Sequence, residues 1–325
     1  MFNNKNILIT GGTGSFGKQF ITKTFKFYKP KKILVYSRDE MKQWDMNNQY
    51  NYKNLEFIIG DVRDKERLLK AMHGMDFIVH AAATKIVPTA EYNAFECVKT
   101  NILGAMNVID SAIEAKIKKV IALSTDKASN PINLYGATKL ASDKLFIAAN
   151  SKNNQNKQTI FSVVRYGNVM NSRGSVIPFF QSLKNNKVLP ITHKDMTRFM
   201  ISLDEAVELV WHAFKDSFGG EIYVKKIPSM KLIDIAKAIS PKSNFKIIGI
   251  RPGEKIHEQM IAKEESNCTY EYANYYKILP QINNWYKDKK RIKSGKKVPN
   301  NFSYTSDTNT KWMDIKQLKK LLENA

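Results

Sequence analysis

"ITGGTGSFG", residues 9–17, lies between a short apolar run, "NILIT" (6–10), and a segment with helical spacing, "SFGKQFITKTFKFY" (15–28). A strand entering a helix through three spaced glycines has a physical use. Gly11 permits the tight turn, Gly14 lets backbone approach a pyrophosphate, and Gly17 lets the helix sit close to the strand. Thr13, Ser15 and Phe16 fill the turn and present the free N–H groups of a helix N-terminus to phosphate. Glycine spacing alone is a weak signal. Its place between strand and helix at the start of the chain makes it strong.

Outward from that loop, apolar runs recur: "KILVYS" (32–37), "LEFIIGD" (55–61), "DFIVHAA" (76–82), "KVIALST" (119–125) and "FSVVRYGNV" (161–169). Polar stretches with helical spacing separate them, among them 94–115. Strands alternating with helices imply an α/β protein, a Rossmann-type doubly wound parallel sheet with helices on both faces. From about Asn171 the pattern loosens. "MTRFMISLDEAVELVWHAFK" (196–215) reads as a helix starting at Ser202 or Asp204, and "GEIYVKK" (220–226) as a strand returning to the main sheet. "SMKLIDIAKAI" reads as a helix, and 244–261 as strand, turn and helix. Beyond Lys263 the polar, aromatic sequence is expected to wrap the domain as a tail ending in a helix, "IKQLKKLLEN". The expected division is a dinucleotide-binding domain over 1–170, with 200–226 returning to it, and a smaller C-terminal substrate-binding lobe and tail over 171–325.

A carboxylate about 20 residues past the glycines would bind the adenosine ribose of NAD. Here "VYSRDE" places Ser37 and Arg38 at the strand end, with Lys42 a turn later. A hydroxyl and two cations suit a 2′-phosphate, so the expected cofactor is NADP; Asp39 keeps NAD open. Asp61 and Val62, after the third strand, are placed to meet the adenine. Ala81, Ala82 and Ala83, after the fourth, leave room for the cofactor to cross.

"STDKASNPINLYGATK" (124–139) follows the fifth strand. Tyr135 and Lys139 are one helical turn apart and share a face. An ammonium beside a phenol lowers its pKa, and the phenolate can take an alcohol proton while hydride leaves for the cofactor. Lys139 can also hold the nicotinamide ribose. Ser124 and Thr125 end the strand at the edge where such sheets bind ligands. Asp126 and Lys127 add two titratable groups, and burial is expected to move both toward neutrality.

With "TGGTGSFG", "HAAATK", "STDK" and "YGATK" in order, the chain resembles the extended short-chain dehydrogenase/reductase family to about residue 260. Within it, "SRDEMKQ", "RYGNVMNSRGSVIPFF", "MTRFMISLDEAVELV" and "RPGEKIHE" are similar to the inverting UDP-N-acetylglucosamine 4,6-dehydratases of pseudaminic acid synthesis. Glucose-type dehydratases carry Thr-Asp-Glu where this chain has Thr125-Asp126-Lys127. A retaining sister group lacks the tyrosine of position 135. The resemblance implies oxidation at sugar carbon 4, loss of water across carbons 5 and 6, hydride return to carbon 6 and inversion at carbon 5. Lys127 is then the carbon 5 base and Asp126 the acid at carbon 6. It further implies that Lys85 touches cofactor and sugar and that Asn168 and Val169 line their boundary. Ser175 and Val176 continue the wall, Thr192 and Arg198 belong to the lobe closing over the uridine, Arg251 meets the diphosphate, and Glu254 meets ribose or uracil. A 4-epimerase, needing Tyr135 and Lys139 but not Lys127, and a non-catalytic NADP-sensing module are the rival readings.

The formal net charge is +22, from 52 Lys+Arg against 30 Asp+Glu, a balance that attracts anions. The longest basic run, "YKDKKRIKSGKK" (286–297), has neither zinc-finger spacing nor an RNA-binding aromatic signature, so no specific nucleic-acid partner is expected. Cys97 and Cys268 have no near neighbours to pair or chelate with. Together with the lack of a signal-peptide pattern, this points to the cytoplasm and to no metal. A homo-oligomer, with a hexamer among its forms, follows from the resemblance alone.

Overall fold

The computed structural model describes residues 1–151 and 159–323. Six strands run β1 (Asn6–Thr10), β2 (Lys32–Ser37), β3 (Leu55–Ile59), β4 (Phe77–His80), β5 (Lys119–Thr125) and β6 (Ile160–Tyr166). Between them lie α1 (Ser15–Phe27), α2 (Glu40–Gln49), α3 (Lys65–Met72), α4 (Val87–Tyr92), α5 (Ala94–Val98), α6 (Gly104–Glu114) and α7 (Leu134–Ala149). A π-helical turn, Lys99–Leu103, joins α5 to α6 where sequence spacing suggested one continuous helix. The six strands pair in parallel in the order 3-2-1-4-5-6. Ile7, Leu8, Ile9, Val120 and Ile121 have no exposed surface, as both faces of such a sheet are covered. The fold is the doubly wound, Rossmann-like one expected.

Beyond β6 the chain forms β7 (Asn168–Val169), α8 (Val176–Ser182), β8 (Val188–Ile191), β9 (Thr197–Ile201), α9 (Leu203–Asp216) and β10 (Ile222–Lys225). Ser202 and Glu205 form a capping box at the start of α9. Strand β10 joins the main sheet in parallel beside β6, so the returning strand read from "GEIYVKK" is present. Then follow β11 (Ser229–Lys231), α10 (Leu232–Ile239), β12 (Asn244–Ile247) and β13 (Gln259–Ile261). Residues 259–261 are thus a strand, not the expected helix. Met260 and Ile261 are buried, and the segment pairs with Tyr304–Thr305.

The aromatic stretch is likewise not a wrapping tail. Strands β14 (Thr269–Glu271), β15 (Tyr275–Ile278) and β16 (Lys296–Lys297) extend the main sheet past β10, all antiparallel, to ten strands. Only β14, with Tyr270 between Thr269 and Glu271, shows a strand's period of two in its sequence. A second core, containing Ile177, Phe180, Leu189, Met196, Met230 and Ile235, lies apart from that of the large sheet. It builds the far wall of a cleft at the carboxyl ends of β5 and β6, the place where open α/β sheets hold ligands.

Candidate active site

The glycine loop has the geometry its spacing implies. Gly11 has φ +67°, and a Cβ there would meet the Ala82 backbone at 2.8 Å. A Cβ on Gly17 would lie 2.2 Å from the Gly12 carbonyl, whereas one on Gly14 would meet only the Gly11 carbonyl, at 3.3 Å. Gly14 is the N-cap of α1 and no side chain caps that end, which leaves its first N–H groups without a side-chain acceptor. That cradle fits a dinucleotide pyrophosphate. Thr13 Oγ1 and Ser37 Oγ lie 2.9 Å apart, tying the loop to the end of β2. Ser15 Oγ accepts from the Arg173 N–H, and Lys85 Nζ donates to the Arg173 carbonyl at 2.9 Å. Loop 171–175 therefore crosses between the glycine loop and the end of β4. Phe16 packs on Phe20, leaving its N–H, not its ring, for the loop.

At the ribose end, Asp39 is engaged in structure. Its carboxylate caps α2, accepting from the Lys42 N–H, and pairs with Lys42 Nζ. Arg38 is exposed, 3.6 Å from Asp61, which Arg63 also holds. Burial pushes the Asp61 carboxyl up, but Arg63 wins and holds it below the usual range. Val62 is buried, and a Cβ on Gly104 of α6 would strike it at 2.8 Å. The Ala81 N–H donates to the Thr10 carbonyl and the Ala82 N–H to Thr10 Oγ1. Ala83, the next residue, is exposed.

Thr125 ends β5 and caps the turn Asp126–Ala128. Its hydroxyl donates to Asp126 Oδ1 at 2.9 Å. Lys127 Nζ donates to the same oxygen at 3.1 Å and lies 3.0 Å from Glu258 Oε1. Both carboxylates are buried, while the lysine side chain keeps 21% of its surface. Burial alone would lower the Lys127 pKa, but Asp126 and then Glu258 raise it above that of an ordinary lysine. The expected drift of Lys127 toward neutrality is thus corrected: its two carboxylate neighbours favour the charged ammonium. Asp126 does move as expected, since burial pushes it up more than Lys127 pulls it down. Glu258 goes the other way: burial raises it, but Lys127 and Arg198 together hold it down.

Tyr135 and Lys139 are both buried on α7. Burial pushes the phenol up to about 12, against the pull of Lys127 and of a hydrogen bond with Thr125. The expected lowering by Lys139 is therefore corrected; Lys127 is the cation whose charge reaches Tyr135. Burial also lowers Lys139, opposed by Asp143, which accepts from Ser124 Oγ at 2.7 Å and lies 3.5 Å from Arg165.

Lys127, Asn168, Ser175, Val176, Thr192, Arg198, Arg251 and Glu254 all line one cleft. Asn168 Oδ1 and Ser175 Oγ are buried and lack a hydrogen-bond partner among the described residues, acceptors and donors ready for a ligand. Val169 pairs with Ile201 beside them. Arg198 is committed to scaffold duty: NH1 donates to the Thr197 and Ile256 carbonyls, and the head lies 3.7 Å from Glu254 and Glu258. Arg251 is exposed, its guanidinium 5.8 Å from the Phe179 ring centre. Lys85 is not among the lining residues.

The family model described as "Polysaccharide biosynthesis protein" matches residues 7–280. The chain belongs to that family. An inverting UDP-N-acetylglucosamine 4,6-dehydratase of Campylobacter jejuni subsp. jejuni is 56% identical, covering 100% of this chain and 99% of the relative. A UDP-glucose 4-epimerase of Rickettsia conorii is 43% identical, covering 99% and 96%. The X-ray structure of Pen from Bacillus thuringiensis superposes with a TM-score of 0.90 at 36% identity, covering 100% and 99%. The resemblance drawn from the motifs is borne out. Glu258 and Lys255, which also line the cleft, were missed by sequence reasoning. Both lie inside "RPGEKIHE", whose sequence carries no sign of the distant strand end it returns to.

Proposed function

We propose that this chain is an NADP-dependent, inverting 4,6-dehydratase of UDP-N-acetylglucosamine, supplying pseudaminic acid synthesis in the cytoplasm. Residues 1–170 would hold the cofactor and 171–325 the sugar nucleotide. The observation that carries this reading is Lys127 Nζ held between two buried carboxylates on a cleft wall. Epimerisation needs only an oxidising Tyr–Lys pair. Dehydration needs a further acid and base.

The loop residues Gly11 to Gly17 would hold the pyrophosphate, Ser37, Arg38 and Lys42 the adenosine ribose and its phosphate, and Lys139 the nicotinamide ribose. When bound, the nicotinamide would accept hydride from carbon 4 and return it to carbon 6, while a proton enters carbon 5 on the face opposite the one it left, which inverts that centre. Tyr135 would take the carbon 4 hydroxyl proton. Lys127 must shed a proton before it can take one from carbon 5. Asp126, 3.1 Å away and pushed up by burial, is the fitting acceptor. That transfer leaves a neutral amine and a protonated carboxyl, the base for carbon 5 and the acid for the carbon 6 hydroxyl. Two groups with diverging environments then divide the roles.

Incubation with UDP-N-acetylglucosamine and NADP is expected to give a product lighter by one water, inverted at carbon 5 by NMR. Retention would move the reading to the sister group. A 4-epimer without water loss would favour the epimerase reading, which the Rickettsia relatives motivate. For the cofactor, Arg38→Ser is expected to raise the KM for NADP about 10-fold or more, the worth of a charge-assisted hydrogen bond, with NAD little affected. An unchanged KM for NADP would remove the 2′-phosphate assignment.

A further inference from the structure

Glu258 has no role in the steps derived so far, yet its placement is over-determined. It immediately precedes β13, and Ser306 holds both its backbone groups: the Glu258 N–H donates to Ser306 Oγ at 2.8 Å, and the Glu258 carbonyl accepts from the Ser306 N–H at 2.8 Å. The Ser306 hydroxyl is in turn 2.6 Å from Thr197 Oγ1 on β9. The side chain is 2% exposed. Oε1 faces Lys127 Nζ at 3.0 Å and Arg198 Nε at 3.7 Å, and Oε2 is buried with no partner among the described residues. Asp126 Oδ2 is also buried and unpartnered. An ion pair so far out of water is hard to maintain without a function or a rigid frame.

A lysine head sits on a flexible four-carbon stem. Asp126, the adjacent residue, restrains Nζ only from its own turn, whereas Glu258 restrains it from a distant strand. We propose that Glu258 is a positioning residue for dehydration: it fixes Lys127 Nζ in the cleft and supplies the fixed negative charge that sets where the Lys127–Asp126 pair exchanges its proton. This rests on the dehydratase reading. The charged and titratable groups around Lys127 are Asp126 from its own turn, Glu258 from the edge of β13, Arg198 from β9, Lys255 from the loop before Glu258, and Tyr135 from α7. Glu254 acts at one remove, through Arg198.

The sign follows from the charges. Glu258 raises both Lys127 and Asp126. The neutral isostere Glu258→Gln removes that push, so both groups titrate at lower pH, and both limbs of the kcat profile move to lower pH together. Glu258→Asp keeps the charge, and its limbs stay at the wild-type pH. We expect kcat in Glu258→Gln to fall about 10- to 100-fold at neutral pH, the scale of a misplaced catalytic group, with KM for the sugar nucleotide near wild type.

The test pairs that profile with NMR of the full-length protein labelled with ¹³C at lysine Cε. Lys127 is assigned by its disappearance in Lys127→Met. The Lys127 signal is expected to titrate at lower pH in Glu258→Gln than in wild type. A uniform loss of rate at every pH, or a Lys127 titration unmoved by Glu258→Gln, would overturn the proposal. If wild type makes no dehydrated product, the functional reading fails on its own, and the NMR titration still decides whether Glu258 sets the charge of Lys127.

Discussion

Lys127→Met is expected to lower dehydration of UDP-N-acetylglucosamine by about 10³-fold, within the range lost with a positioned acid or base. Tyr135 and Lys139 stay in place on α7, so first-step oxidation at carbon 4 should persist as cofactor reduction in a single turnover, but more slowly, because Tyr135 loses the cation that opposes its burial. Exchange of the carbon 5 hydrogen with deuterated solvent should disappear. Undiminished water loss would remove the assigned mechanism and return the chain to the epimerase reading. The variant also strips two buried carboxylates, Asp126 and Glu258, of their shared cation. Both should then ionise only at higher pH than in wild type. A carboxyl whose folded pKa is raised above its unfolded value contributes stability at low pH and loses it as pH rises through the folded pKa. The thermal deficit of Lys127→Met should therefore be small in acid and grow toward neutral pH. A deficit independent of pH would mean that the carboxylates are not the reason.

The second large effect is expected at a position with no chemistry of its own. A Cβ on Gly136 would lie 2.2 Å from the Lys127 carbonyl and 3.0 Å from Pro131 Cβ. The first is backbone and cannot swing aside. Gly136→Ala should cost about 1–3 kcal/mol, as overpacking does. Either the Asp126–Ala128 turn or the start of α7 must move, and these elements carry Lys127 and Tyr135. A displacement of about 1 Å is enough for a loss of about 10²-fold in kcat. Denaturant melts and kcat measured on the same sample check both. Full activity with full stability would show that the turn yields at no cost. Asn133 narrows the escape further. Its side chain accepts from the Gly136 N–H at 2.7 Å and donates to the Gly253 carbonyl at 2.7 Å, so the start of α7 is tied to the loop bearing Arg251 and Glu254.

The parallel core was legible because its signals are local: a glycine loop between strand and helix, and apolar runs at regular intervals. The Tyr135, Lys139, Asp126 and Lys127 cluster was legible for the same reason, lying within one short stretch. Glu258 was not, because nothing in residues 251–258 says which distant strand end they return to. The β13 segment was misjudged because three residues, Gln259–Ile261, are too few to show a period. The protonation of Lys127 was misjudged because burial was weighed and the second carboxylate was unknown. Tyr135 was misjudged in the same manner, its nearest effective cation being Lys127 rather than the lysine one turn along its helix.

The basic run 286–297 takes on another meaning from its place at the end of the sheet. Arg291 is buried and paired with Glu221, and Lys293 is paired with Asp216. What remains for the outermost strand is Lys296–Lys297, both exposed. A row of unpaired backbone groups at a sheet margin invites another chain to dock and continue the ladder. Here the invitation is two residues long and carries two like charges, so a neighbouring molecule finds little to bond to and a repelling field. Short length and charge at a sheet margin are the features that discourage such docking, and the basic run places both there.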